Sequence, residues 1–287
     1  MSHDGFMIPV MTSSTSSTRR IDVVRIQGRE RRPEADCAVV EEPLEIRLHR
    51  RPFAVIMRTP GADRELAAGF LLSERLITTC DDLGTIEHCT DPEAVDEPSR
   101  QNVVNVTLTD TSRLDHALAE RRQVTTNSSC GMCGRRTIES LAADVDPLSA
   151  SLVVTAERLA TLPDGLRAAQ TVFDHTGGLH AAGLFAPDGA LVDSAEDVGR
   201  HNAVDKVIGR RLMRDELPLS ECVLFVSGRS SFEIVQKALF AGIPIVASVS
   251  APSSLAIDLA KEMGITLAGF VRGDSFNIYA HAERIRA

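Results

Sequence analysis

Cys130 and Cys133 stand three positions apart in Ser128-Ser129-Cys130-Gly131-Met132-Cys133-Gly134, just ahead of the helical pattern Arg135 to Ala143. A Cys-x-x-Cys pair that opens a helix favours the thiolate, because the helix amides and the neighbouring thiol both lower the first cysteine's pKa toward neutrality. Arg135 and Arg136 push the same way. Such a thiolate can attack a persulfide donor and hold the terminal sulfur as Cys130-S-SH. Cys133 is near enough in sequence to form a disulfide with Cys130, and so to release sulfide or restore the resting state. Half a zinc site and an ordinary redox pair use the same spacing. A structural zinc needs two more ligands, however, and the remaining cysteines, Cys37, Cys80, Cys89 and Cys222, are scattered. His175 or His180 would complete a set only if the fold delivered them. A thioredoxin-type pair would follow the first strand of a βαβ unit, usually beside an aromatic residue, whereas the flanks here are Ser and Gly. The expectation is a reactive dithiol with no metal held by the protein itself.

A second chemistry is written in loops that carry Gly and Arg. In Ser227-Gly228-Arg229-Ser230, Gly228 lets the backbone approach a ligand closely and Arg229 can fork onto phosphate oxygens. The helix that follows starts Ser230-Ser231-Phe232-Glu233, a capping-box spacing, so a merely well-capped helix explains the same residues. Phe270-Val271-Arg272-Gly273-Asp274-Ser275 is a second candidate for the same anionic ligand. Between Arg200 and Arg214, five basic residues face only Asp205, which reads as a spot for a small anion. Asp197-Val198-Gly199-Arg200-His201-Asn202 is dense in polar groups, as an elaborate N-cap would be, and Thr176 to Ala182 holds glycines that permit a tight turn.

Elements must position these residues. The chain has 287 residues, 43% hydrophobic, enough to bury a core without disulfides or metal. Its net charge of -9 argues against nucleic-acid binding, which leaves a basic footprint. No apolar run is long enough to span a membrane, and the first residues lack a signal-peptide core, so the expectation is a soluble cytoplasmic protein. Residues 1–20 read as a disordered tail, 21–148 as an N-terminal α+β domain ending in the Cys-x-x-Cys loop and helix, and 149–287 as a second, cofactor-binding domain. Period-two patterns predict three strands over 21 to 58 and another at 103–108, with an amphipathic helix from Asp63 to Ile77 that Asp63 would cap. From Thr155 the order is a helix to about Phe173, a hairpin turning at Pro187-Asp188-Gly189, helix 200–213, strand 222–226, helix 231–240, strand 243–248, helix 255–263 and strand 266–271. That alternation predicts a three-layer α/β domain with a largely parallel sheet, whose ligands gather where loops leave the carboxyl ends of strands.

This second-domain order resembles the cytidine-deaminase-like fold. The zinc deaminases of that fold carry a His or Cys two residues before a Glu at one helix start and Pro-Cys-x-x-Cys at the next. Here the corresponding segments read His201-Asn202-Ala203 and Ser227-Gly228-Arg229-Ser230, so both the acid/base carboxylate and the paired thiolates are missing.

Taken together, several stretches resemble the FdhD family of formate dehydrogenase accessory sulfurtransferases. They are Glu41 to Ile46, Arg58 to Gly61 with Glu65 to Leu71, Ser129 to Gly134, Thr176 to Ala182, Glu196 to Gly209, Ser227 to Gly242, Ser248 to Pro252 and Gly269 to Tyr279. The Ser/Thr-rich tail departs from the family pattern, as does Arg75, where Gly is common. The resemblance implies a sulfur carrier that accepts persulfide sulfur from a cysteine desulfurase and passes it to the molybdenum cofactor in its bis(molybdopterin guanine dinucleotide) form, destined for formate dehydrogenase. It places the persulfide cysteine at Cys130, its companion at Cys133 and the cofactor-binding loop at Phe270, Val271, Arg272, Gly273, Asp274 and Ser275. A homodimer would suit a two-pterin substrate. The alternative is a non-catalytic cofactor-binding chaperone whose dithiol is a redox or zinc latch.

Overall fold

The computed structural model describes residues 16–89, 97–112 and 145–287. It opens with a two-stranded antiparallel ribbon, β1 (Thr18–Gln27) and β2 (Glu30–Val39). Gly28, at φ +62, makes the turn between them. The expected first strand, carried by Ile21, Val23 and Ile26, is β1, and β2 was not expected, so four strands rather than three precede the first helix. Thr18 to Arg20, read from sequence as the end of a tail, belong to β1.

Next comes a four-stranded sheet in the order β4-β3-β6-β5, built from β3 (Glu42–Leu48), β4 (Arg51–Arg58), β5 (Leu83–His88) and β6 (Val103–Leu108). Leu44, Ile46 and Leu48 are wholly buried while the residues between them are half exposed, as a strand with one covered face requires. β5 left no signal in the sequence because only Ile86 along it is buried.

Helix α1 (Asp63–Ser73) is not capped by Asp63. The N-cap is Ala62, and Asp63 instead receives Arg58 Nε and Nη2 at 2.9 Å each. Arg58 is 1% exposed, so its charge needed a carboxylate more than the helix needed a cap.

The second half holds β7 (Val154–Thr155), α2 (Ala156–Ala169), α3 (Thr171–Thr176), β8 (His180–Phe185), β9 (Leu191–Asp197), α4 (Arg200–Leu212), β10 (Val223–Val226), α5 (Phe232–Phe240), β11 (Ile245–Ser248), α6 (Ser254–Glu262), β12 (Thr266–Arg272), β13 (Ser275–Ala280) and β14 (Ile285–Arg286). The helix expected to run on to Phe173 breaks at Gln170, whose ψ of 71 is not helical. The main sheet has the order β13-β12-β11-β10-β8-β9. Only β10, β11 and β12 are mutually parallel; β8, β9 and β13 join antiparallel, so the sheet is mixed rather than largely parallel. Two tight hairpins, at 186–190 and 273–274, add these outer strands without the long crossovers that parallel pairing needs.

Alternate residues of the sheet face two helical layers. Val223, Phe225, Ile245 and Ala268 pack in one cluster with Leu159, Leu162 and Leu166 of α2. Leu224, Val226, Val246 and Leu267 pack in the other, with α4, α5 and α6. This second cluster continues without a break through α1 into Leu44, Ile46, Val104 and Val106 of the smaller sheet. Helices α1 and α4 meet where both have glycine. A Cβ on Gly69 would fall 2.0 Å from the Asp205 carbonyl oxygen, and one on Gly209 would fall 1.9 Å from that of Glu65.

Two buried ion pairs complete the junction. Lys237 Nζ on α5 donates to both carboxylate oxygens of Asp205 on α4, at 2.6 and 2.7 Å, and Ser73 of α1 donates to the same carboxylate at 2.9 Å. Burial pushes the Asp205 carboxyl above its ordinary pKa, opposed by Lys237. Asp197 receives Lys206 Nζ at 2.7 Å, Asn202 Nδ2 at 2.8 Å and the backbone amides of Gly199 and Thr59, at 2.8 and 3.2 Å. Three of the five basic residues between Arg200 and Arg214 are therefore already paired rather than free for an anion. Lys206 is buried on Asp197, Arg210 and Arg211 hold Asp193, and Arg211 also bonds Glu216. No helix among the described residues is long and apolar enough to cross a membrane.

Candidate functional site

Cys130 and Cys133 lie outside the described residues, as does the loop around them. The strand-end loops of the main sheet are described, and hydrogen bonds knit all three together. β10 ends at Val226 and gives way to 227–231; β11 gives way to 249–253; β12 turns through Gly273 and Asp274. Ser253 N donates to Ser230 O at 3.1 Å, and Ser230 forms a bridge with Pro252. Phe270 N donates to Ser250 O at 3.2 Å, and Arg272 Nε to Val249 O at 3.3 Å. Gly269 makes this possible, because a Cβ there would lie 3.0 Å from both Pro252 Cδ and Ser250 O.

Phe270 to Ser275, read from sequence as one binding loop, divides in the structure. Val271 is wholly buried beside Phe225 and Ile245, so its side chain serves the core. Phe270 and Val271 form a bulge against β13, which turns Phe270 outward at 41% exposure with φ +55. A bulky side chain in the left-handed region is strained, and bulges of this kind re-aim a side chain at the rim of a sheet. Arg272, Gly273, Asp274 and Ser275 are exposed at the hairpin tip.

The 227–231 loop meets residues from two other elements. Antiparallel pairing of β8 with β10 and β9 brings His180 beside Gly228 and opposite Asp197. A Cβ on Gly228 would sit 3.4 Å from both His180 Nδ1 and Arg200 Cδ, so glycine keeps the imidazole and the arginine stem close to the loop backbone. His180 is held below the ordinary imidazole pKa, first by burial and then by Arg200, His201 and Arg229, with Asp197 opposing. Cationic groups thus converge on Gly228 from α4 and from the loop itself.

The capping box expected at Ser230 to Glu233 is not made. Ser231 is the N-cap of α5 and its side chain caps nothing. Its hydroxyl lies 3.0 Å from His201 Nε2, and Glu233 Oε2 lies 2.7 Å from the same nitrogen. Among the described residues, buried Ser230 Oγ, Glu233 Oε1 and Arg200 Nε have no hydrogen-bond partner. Three unmet polar atoms at one strand-end edge are unusual, since buried polar groups are nearly always paired. Sequence reasoning singled out Gly228 and Arg229 but missed His180, Arg200 and Glu233 as their neighbours. Only the proximity of two polar helix starts, at 199–202 and 230–233, could have signalled it.

These features define an α/β protein with a polar, cation-rich site at the carboxyl edge of its parallel strands. The FdhD/NarQ family model matches residues 39–286, and the chain belongs to the FdhD/NarQ family. It is 52% identical over 275 residues to the sulfur carrier protein FdhD of Streptomyces coelicolor, covering 93% of this chain and 95% of that one. It is 47% identical over 279 residues to the sulfur carrier protein FdhD of Nocardia farcinica, covering 96% and 97%. The crystal structure of a protein provisionally described as a formate dehydrogenase accessory protein, from Desulfotalea psychrophila, superposes with a TM-score of 0.74 at 26% identity, covering 94% of this chain and all of that one.

Proposed function

We propose that the protein is a cytoplasmic sulfur carrier in formate dehydrogenase maturation. The Cys130 thiolate attacks the terminal sulfur of a persulfide on a cysteine desulfurase. The donor cysteine leaves as a thiolate and Cys130 keeps the sulfur as Cys130-S-SH, with Cys133 as the auxiliary thiol. The acceptor is the molybdenum cofactor in its bis(molybdopterin guanine dinucleotide) form, held as substrate at the Ser227 to Ser231 and Phe270 to Ser275 loops. The second half of the chain is a cytidine-deaminase-like unit without deaminase chemistry, and two copies of the chain would serve the two-pterin substrate.

The names of relatives about half identical over almost the whole chain support the sulfur half of this reading. The observation that carries the acceptor half is the unmet edge around Gly228, where Arg200 Nε and Ser230 Oγ are unpaired and the guanidinium groups of Arg200 and Arg229 add to burial in lowering the His180 pKa. A polyanion meets those needs, because backbone amides and guanidinium forks bind phosphate oxygens in a water-poor site. Incubation with cysteine desulfurase and cysteine should add one sulfur atom to the intact protein by mass spectrometry, and Cys130→Ala should abolish the addition. Retention of the added sulfur by that variant would overturn the carrier assignment.

A further inference from the structure

His180 is fixed at the cation-rich edge by bonds on either side of its neighbour. Ser227 N donates to Ala181 O at 3.0 Å, and Ala181 N donates to Ser227 Oγ at 2.9 Å. The imidazole is thereby set against the loop backbone, with His180 Nδ1 and Arg200 Cδ each 3.4 Å from where a Cβ on Gly228 would lie. The residue is half-buried, yet neither ring nitrogen has a hydrogen-bond partner among the described residues.

Charged and titratable groups face the ring from three elements: Arg200 and His201 from α4, Arg229 from the 227–231 loop and Asp197 from β9. From α5, Glu233 is taken up by His201, its Oε2 lying 2.7 Å from Nε2. Asp197 stands opposite His180 across the strand pair and is the acid best placed to serve an imidazolium. It is wholly buried and already receives Lys206, Asn202 and two backbone amides. Arg200 and Arg229 make no ion pair among the described residues. The edge therefore holds two guanidinium groups without a counter-ion beside an imidazole that burial and Arg200 discourage from charging. An anion reverses that balance, because an opposite charge within about 4–6 Å favours the protonated ring.

We propose that His180 takes up one proton from solvent as a phosphate-bearing substrate seats at the Gly228 edge, its imidazolium joining Arg200 and Arg229 on the phosphate oxygens. This rests on the acceptor half of the function proposed above and adds to it a residue and a pH linkage. A group that gains a proton on binding makes affinity fall as pH rises, by up to ~10-fold per pH unit for one whole proton. The ligand supplies the acid that Asp197, spent on Lys206, does not.

Calorimetry of the full-length protein with GDP, in pairs of buffers that differ in ionisation enthalpy, tests this. A terminal phosphate has a second pKa of about 6, so between about pH 7 and pH 8 the probe is already ionised and a proton taken up enters the protein. The wild type should take up at least ~0.5 proton per GDP, with affinity falling toward the higher pH. His180→Gln should bind GDP more weakly at the lower pH and lose both the proton uptake and the pH dependence. Its circular dichroism should match that of the wild type, and an imidazole that served structure alone would leave the proton count unchanged. GDP binding by the wild type without proton uptake would overturn the inference and leave the acceptor reading standing. Proton uptake that persists in His180→Gln would overturn it as well, by placing the proton on another group. Absence of GDP binding by the wild type would defeat the acceptor reading and this inference with it.

Discussion

Helix α4 sends charged side chains to two destinations, and they meet opposite fates. Asp205 and Lys206, in its middle, enter the junction between the two sheets, where every charge has a partner: Lys237 and Ser73 for one, Asp197 and the Thr59 carbonyl for the other. Arg200 and His201, in its first turn, reach the edge of the main sheet, where Arg200 Nε, Ser230 Oγ and Glu233 Oε1 are left unmet among the described residues. Saturated buried charge is architecture, since an ion pair closed on itself has nothing to offer a ligand. Unmet polar atoms next to an open loop carry a desolvation cost of about 1–3 kcal/mol each that a ligand can relieve. One helix therefore serves stability along its length and recognition at its start.

The comparison breaks if the two ends respond alike to substitution. Lys237→Met should have the largest effect, because it strands Asp205 without its cation at the α1–α4–α5 junction; removing one partner of a buried pair costs about 3–5 kcal/mol. Urea unfolding would measure it, and adding Asp205→Leu should recover much of the loss if the pair acts purely as structure. Arg200→Ala should do the reverse, leaving urea stability within about 0.5 kcal/mol. Calorimetry with GDP as the probe should then show a ~10-fold or greater loss of binding, the equivalent of about 1.4 kcal/mol. A stability loss from Arg200→Ala as large as that from Lys237→Met would erase the distinction.

The smallest effect concerns pH. His180 is held below the imidazole pKa of about 6.5, so the unfolded chain takes up its proton more readily than the folded one. Its contribution to stability is therefore present above about pH 6.5 and is lost as pH falls below that value. Between pH 7.5 and 5.5, His180→Gln should lose less melting temperature than the wild type. An equal loss would mean that Arg200, His201 and Arg229 do not act on this imidazole as their placement implies.

Much of the fold was legible in the sequence wherever burial was one-sided. Leu44, Ile46 and Leu48 announce a strand because alternate residues face water, and the helices at 200–212, 232–240 and 254–262 fall within two residues of their predicted limits. The outermost strands were harder to read. β5 buries a single side chain, and β13, which buries only Ala280, follows the tight turn at Gly273 without a pattern of its own. Asp63 and Glu233 misled for a shared reason. Each stands where a local capping bond is available, and each instead pairs with a nitrogen-bearing side chain brought from another element, Arg58 in one case and His201 in the other. A side-chain partner within 3 Å displaces the backbone amide, and no local spacing reveals that it is there.

What the sequence determined by itself was the inventory: a dithiol at Cys130 and Cys133, glycine at the points of close approach, alternating strands and helices, and membership in a family whose motifs are ordered along the chain. Those properties are local, fixed by residue type and spacing. Which charges would cancel and which would stay open was decided only by tertiary structure. Antiparallel β8 set His180 beside Gly228, the glycine-lined crossing of α1 and α4 enclosed Asp205, and the bulge in β12 turned Phe270 outward while sending Val271 inward. Each outcome depends on residues distant in sequence arriving within a few ångströms, where desolvation makes the presence or absence of a partner decisive.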